Sequence, residues 1–254
     1  MDERERQKRF HIAADAPRLH NRLRNPWIVA REQRLAKRLA AFCRPGSRVL
    51  EVGCGEGSNL AYLADACPNA RLFGLDFSDA KVTFSAARRP DFAHVCGDAQ
   101  SLPFDDRTFD FVFCRDLLHH VDFNRSGVLA EMLRVLAPGG TALILEAQGN
   151  TILNRLFRLL YPAERGLAHS SADTLLSLAK GHGAVSLEPV EASFLTRALG
   201  FVLGWPEGVL HLPLHCAYAT SEAWERVLQR WLPRRHWTYL CLTITPNGLP
   251  QTTP

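Results

Sequence analysis

An α/β fold, with a doubly wound, mostly parallel sheet of seven strands and helices on both faces, is predicted by three observations. From Ser47 onward, short apolar runs alternate with amphipathic stretches, the pattern of βαβ units. Two of the runs, Phe109–Cys114 and Thr141–Glu146, are almost continuously apolar, as strands covered on both faces are. The first run ends in Gly53-Cys54-Gly55-Glu56-Gly57, a strand-to-helix turn in which backbone can bend tightly and approach a ligand.

Two helical patterns precede the sheet. The second, predicted from Trp27 to Phe42, sets Ile28, Leu35, Leu39 and Phe42 on one face, and Arg44-Pro45-Gly46 ends it. Strand one is predicted at Arg48–Val52, a helix at Ser58–Asp65, strand two at Arg71–Asp76 and a helix at Ser78–Arg88. Strand three follows at His94–Gly97, strand four at Phe109–Cys114, an amphipathic helix at Arg125–Leu136 and strand five at Thr141–Glu146. Beyond that, Ile152–Tyr161 and Ala172–Lys180 read as helices, and Val185–Val190 and Trp237–Thr245 as strands six and seven. The stretch between the last two far exceeds the usual connection of about 2–6 residues, so a lid or substrate-facing insertion is expected there. The domain reading is N-terminal helices capping the ligand crevice at 1–46, a ligand-binding core at 47–147, the rest of the core with the apolar insertion at 148–246, and a tail at 247–254.

A hydrophobic fraction of 46% and a charged fraction of 22% over 254 residues are ordinary for a globular protein and exclude a disordered or fibrous chain. Seven cysteines, an odd number with no CxxC pair, and a charged start, MDERERQKRF, point to a reducing cytoplasm. The apolar segment Phe194–Ala219 is broken by Arg197, Pro206, Glu207, His211, Pro213 and His215, short of the ~18 uninterrupted apolar residues of a spanning helix. No transmembrane segment is expected, and peripheral membrane contact stays open. The net charge of +4 is concentrated before Arg48. With no recognisable nucleic-acid module, the solvated face of N-terminal helices is favoured over a nucleic-acid or anionic-lipid surface. The oligomeric state is left open.

Acidic residues close the next two strands. Asp76 ends strand two about twenty residues after the glycine turn, where a carboxylate can bind both hydroxyls of a ribose. Asp98 ends strand three, where it can accept a hydrogen bond from an adenine amino group. Either acid alone reads more readily as a helix N-cap or a loop residue. Three such features at successive carboxyl ends of parallel strands converge on one crevice.

Glu51-x-Gly53-x-Gly55-x-Gly57, Asp76, Gly97-Asp98-Ala99 with Leu102-Pro103-Phe104, Phe109-Asp110 with Leu118-His119-His120, and Leu133-x-x-Leu136-x-Pro138-Gly139-Gly140 follow one another from Arg48 to Glu146. In order and spacing this set resembles the class I S-adenosylmethionine-dependent methyltransferases, and its GxGxG differs from the GxGxxG of a dehydrogenase. The resemblance implies a Rossmann-like domain, S-adenosylmethionine as donor and S-adenosylhomocysteine as product. It implies that Glu51 orients the glycine loop and the methionine amine, that Gly53 and Gly55 let backbone lie against methionine and ribose, and that Asp76 holds the ribose. Asp98 and the Ala99 N–H would read adenine, Phe77 would pack on the ring, Cys114 or Arg115 would offer a carbonyl to the amine, and Cys54 would give backbone contacts only. Pro138-Gly139-Gly140 would turn into strand five.

Methyl transfer from a sulfonium is an in-line displacement that needs alignment and exclusion of water, and a base only where the acceptor holds its proton. His119 and His120, after strand four, are the candidate catalytic bases, with packing as the competing role. Asp116 lies beside them, and Glu146 and His169 are weaker candidates. His211 and His215 stand four apart but flank Pro213, with no completing ligand, so no metal is predicted. The acceptor is expected to be a fairly apolar small molecule, such as a phenol, quinone, isoprenoid, polyketide or acyl compound, methylated on oxygen or carbon. Cys114-Arg115-Asp116-Leu117 stands where amide and base N-methyltransferases carry (N/D)PP(Y/F). The alternatives are methylation of RNA or protein, and a non-catalytic nucleoside-binding partner or regulator.

Overall fold

The computed structural model describes residues 19, 22–23, 26–160, 162–191, 219, 223, 226–227, 230–233, 236 and 238–246. At its centre lies β1 (Arg48–Val52), whose apolar Val49, Leu50 and Val52 are fully buried. β2 (Arg71–Asp76) and β3 (Ala93–Cys96) extend the sheet in parallel on one side, β4 (Phe109–Arg115) and β5 (Leu136–Ala147) on the other. β6 (Ala184–Glu191) forms the far edge, joined to β5 through β7 (Tyr239–Thr245), which runs antiparallel to both. The order is β3-β2-β1-β4-β5-β7-β6. It reverses between β1 and β4, and an open α/β sheet binds ligands in the crevice at the carboxyl ends beside such a reversal.

Side-chain alternation sends successive residues to opposite faces. One face packs Val49, Phe111, Phe113, Leu143, Leu145, Tyr239 and Cys241 against Leu35 and Leu39 of α1 (Pro26–Ala40) and Leu60 and Leu63 of α2 (Ser58–Ala66). α3 (Asp79–Arg88) follows β2, capped by the Ser78 side chain. The other face packs Leu50, Val52, Val112, Ile144 and Leu242 against Val128, Leu129 and Met132 of α4 (Arg125–Arg134). α5 (Ile152–Leu160) follows, and α6 (Ala172–Ala179) adds Leu175 to this second face. Each fully buried Leu or Phe stabilises by about 1.5–3 kcal/mol, so the apolar alternation of β4, β5 and β7 dominates the fold.

Most boundaries lie within two residues of the sequence reading, and β5 departs from it furthest. β5 begins at Leu136 instead of Thr141, because the register shifts between Phe109 and Phe111 and takes Pro138-Gly139-Gly140 into the strand as an irregularity. α4 accordingly ends at Arg134. Two 3-10 turns, Asp122–Asn124 and Pro162–His169, have no periodic signature and were not expected. The insertion Phe194–Ala219, apart from Ala219, the tail at 247–254, Trp237, His211 and His215 lie outside the described residues.

Candidate active site

The glycine turn is tied down by backbone. Gly53 and Cys54 N–H both donate to the Leu75 carbonyl, at 2.7 and 2.9 Å. Gly55 N–H donates to Asp76 Oδ2 at 2.9 Å, and Ser78 N–H to Asp76 Oδ1 at 3.0 Å. Gly55 has φ +53°, with nothing within 4 Å of the place a Cβ would take. The turn therefore leaves open space at Gly55, the residue whose N–H holds the Asp76 carboxylate. Burial raises the Asp76 pKa, opposed by the Ser78 and Gly55 N–H groups. Phe77, the next residue, is 38% exposed, unusual for a ring at the end of a buried strand. Asp98 Oδ1 accepts from Gln100 N–H at 2.9 Å, and Ala99 is buried behind it. Burial pushes the Cys54 and Cys114 thiols well up, so neither is a thiolate nucleophile.

Glu51 points to the face covered by α1 and α2. It is fully buried, and burial pushes its carboxyl up to about 8, against the opposing hydrogen bond from Asn59. Among the described residues nothing donates to Glu51 Oε2. A buried acceptor without a donor is costly, and this one fits a cationic ligand group.

Beside it stands Arg115, whose side chain is a hub that the sequence reading passed over in favour of its carbonyl. Its guanidinium is clamped by both carboxylate oxygens of Glu32, donates to Asn59 Oδ1 at 2.7 Å, and donates through Nε to Tyr239 Oη at 3.1 Å. Burial works against the Glu32 charge, but Arg115, then Arg22 and Arg31, hold that carboxyl far below its ordinary range. Glu32, Asn59 and Tyr239 were not anticipated. Glu32 did carry a signal: it precedes Leu35 by three residues and Leu39 by seven, so it shares their buried helical face.

On the opposite face, His119 is buried between two acids. Nδ1 donates to Glu146 Oε2 at 2.7 Å and Nε2 to Glu164 Oε2 at 3.1 Å. Glu146 Oε1 accepts the Leu118 N–H at 2.6 Å. Burial opposes a charged imidazole, but Glu146 and Glu164 outweigh it and raise the His119 pKa to about 10. His119 is thus an imidazolium with both nitrogens engaged. The His120 ring lies against it, 4.0 Å between centroids. Asp116, at φ +51°, sits at the end of β4 within reach of the same group. The ligand atoms of Asp116, His119 and Glu146 lie within 4.8 Å of one another, as do those of His119, His120 and Glu164. A cation there would have to displace the His119 protons. His169 lies apart from this group, paired with Asp122.

This arrangement has relatives. Residues 50–144 match the family described as methyltransferase domain. The structure has the class I S-adenosylmethionine-dependent methyltransferase fold, Rossmann-like and mostly parallel. The chain is similar to a demethylmenaquinone methyltransferase of Beutenbergia cavernae, 44% identical over 107 residues, covering 42% of this chain and 43% of that protein. It is also similar to the phthiotriol/phenolphthiotriol dimycocerosates methyltransferase of Mycobacterium tuberculosis, 42% identical over 98 residues, covering 37% and 36%. The chain thus matches less than half the length of these curated relatives. Among solved structures, Haemonchus contortus phosphoethanolamine N-methyltransferase 2 superposes with TM-score 0.68 at 18% identity, covering 97% of this chain and 60% of that one. Geranyl diphosphate C-methyltransferase from Streptomyces coelicolor superposes with TM-score 0.64 at 14% identity, covering 97% and 99%. No helix among the described residues is long and apolar enough to cross a membrane.

Proposed function

We propose that this chain transfers the methyl group of S-adenosylmethionine to an oxygen or carbon atom of a fairly apolar small molecule. The observation that carries the reading is the convergence of Glu51, Asp76 and Asp98 at the carboxyl ends of β1, β2 and β3, with an orphaned oxygen on Glu51 and open space at Gly55. An ammonium, a ribose diol and an adenine amino group match those three acids in order. S-adenosylmethionine, when bound, supplies a methyl group on a positively charged sulfur. Glu51 would take its ammonium, Asp76 the ribose and Asp98 with the Ala99 N–H the adenine, with Phe77 on the ring. Gly53, Cys54 and Gly55 would offer backbone contacts, and Cys114 and Arg115 would close the methionine end. Residues 1–46 would cap the crevice, 47–147 hold the donor and 148–246 face the acceptor.

A charged His119 has no lone pair to accept a proton. We assign it the role of a positioning residue and give proton acceptance, for an acceptor that carries a proton, to His120. The apolar acceptor class is supported by relatives named for demethylmenaquinone and phthiotriol substrates. The absence of a nucleic-acid partner is supported by the pairing of Arg22 and Arg31 with Glu32 and of Arg38 with Glu188, internal duties for the basic segment. Six free cysteines among the described residues support a reducing, cytoplasmic setting.

The test is transfer of label from methyl-labelled donor to a panel of phenols, quinols, isoprenoids, polyketides and acyl compounds, beside tRNA and bulk protein. Label on a small apolar acceptor is expected. Label on RNA or protein alone overturns the acceptor class, and tight donor binding with no turnover across the panel overturns catalysis.

A further inference from the structure

Helix α5 leaves β5 at the ligand-facing edge of the sheet, and none of its nine residues is acidic. Asn154 pins one side of it to the body: the buried Nδ2 donates to the Gln148 carbonyl at 2.7 Å and to the Thr238 carbonyl at 3.5 Å. At about 100° per residue, Ile152, Leu156 and Leu159 fall within roughly 60° of arc on the side away from Asn154. They are 88%, 54% and 80% exposed. Scattered exposed leucines are ordinary, but a continuous stripe opposite an anchoring side chain marks a contact surface. Arg155 and Arg158 line one flank, and Arg165 is exposed in the turn that follows. The one acid in that turn, Glu164, faces inward to His119. The same turn packs so closely under His119 that a Cβ on Gly166 would come within 1.8 Å of the His119 carbonyl. The turn that continues α5 therefore borders the histidine cluster.

We propose that α5 is a membrane-docking helix that lies in the surface of an anionic bilayer. Its Ile152, Leu156 and Leu159 stripe enters the acyl boundary, and Arg155, Arg158 and Arg165 meet lipid phosphates. A short helix with a strong apolar face and a purely basic flank is built for that interface. Charge selects the occupant, since a second copy docked by two-fold symmetry would bring the same arginines into the contact. The inference deepens the apolar-acceptor reading by setting the site's mouth against a source of lipid-soluble acceptor.

Co-sedimentation of the full chain with vesicles tests it without turnover. Binding is expected to phosphatidylglycerol–phosphatidylcholine vesicles, weakening as salt rises. L156E/L159E is expected to lower partitioning by about tenfold or more through lost apolar contact. R155Q/R158Q is expected to lower it about fivefold per arginine on anionic vesicles, with little change on phosphatidylcholine alone. Leu156, Leu159 and Arg155 are exposed and Arg158 is half-buried, so an unchanged thermal midpoint is the check that each variant folds. Absence of wild-type binding to anionic vesicles, or equal binding by L156E/L159E, overturns the proposal. So does a concentration-dependent dimer in light scattering that L156E/L159E abolishes, which would give the stripe to a second copy. Donor binding by calorimetry is scored separately: vesicle binding without donor binding sinks the methyltransferase reading and leaves this one standing.

Discussion

Glu51 illustrates how a residue legible in sequence takes its chemistry from its surroundings. Its place before the glycine turn marked it as a ligand residue, but that it carries a proton follows from burial, which lifts its pKa from an ordinary 4.5 to about 8. A carboxyl raised in the fold favours the folded state fully below pH 4.5, and that contribution is lost as pH rises through 8. An ammonium placed at Oε2 favours the ionised form instead. Donor binding between pH 4.5 and 8 is therefore expected to release a proton, read by calorimetry in buffers of different ionisation enthalpy. Glu51→Gln is expected to bind about 10- to 100-fold more weakly, as loss of a charged hydrogen bond implies, and to release none. Wild-type binding with no proton release would refute the Glu51 contact.

At the scale of elements, α1 is fastened to the sheet by its apolar face and by a buried ion pair. Its apolar face was legible from the spacing of Leu35 and Leu39, and its basic residues were read as a solvated surface. Folding places Glu32 of that helix on Arg115 at the end of β4, so part of the basic segment serves to surround one buried acid. Removing Glu32 takes from the buried Arg115 both oxygens that clamp it and leaves only the Asp116 carboxylate, 3.7 Å from Nε, to offset its charge, at a cost of about 3–5 kcal/mol. Glu32→Ala is expected to destabilise by that amount in denaturant titration. The E32M/R115M double variant is expected to recover most of it, because an apolar pair of similar volume replaces a desolvated ion pair. A Glu32→Ala cost within the ~0.5 kcal/mol of a surface substitution would show that α1 is held elsewhere.

For the molecule as a whole, the two polar groups stand on opposite faces of the sheet. Glu51, Arg115 and Tyr239 lie on the α1 and α2 side, and His119 and Glu146 on the α4 and α6 side. A ligand lying across the ends of β1, β2 and β3 ties several elements to one another and binds only the folded chain. At about 100 times its dissociation constant such a ligand stabilises by ~2.7 kcal/mol. At about 2–4 °C per kcal/mol for a chain of this size, S-adenosylhomocysteine is expected to raise the thermal midpoint by roughly 5–10 °C. Asp76→Asn is expected to lose most of that rise. An unchanged midpoint at saturating ligand would remove the adenosyl reading of the crevice.

The strand ends, the glycine turn and the apolar alternation are local properties, written in residues a few positions apart, and the sequence shows them directly. The pairings that give those residues their charge are not local. Glu32 and Arg115 are separated by 83 positions, Arg115 and Tyr239 by 124, and His119 and Glu146 by 27. Whether such residues meet depends on strand order and on which face each side chain takes, and one residue of register shift would send them to opposite sides of the sheet. Local patterning thus announced a nucleotide-type crevice at the ends of β1–β3. Packing alone made Arg115 a clasp, His119 a held imidazolium and Glu51 an acid with one orphaned oxygen.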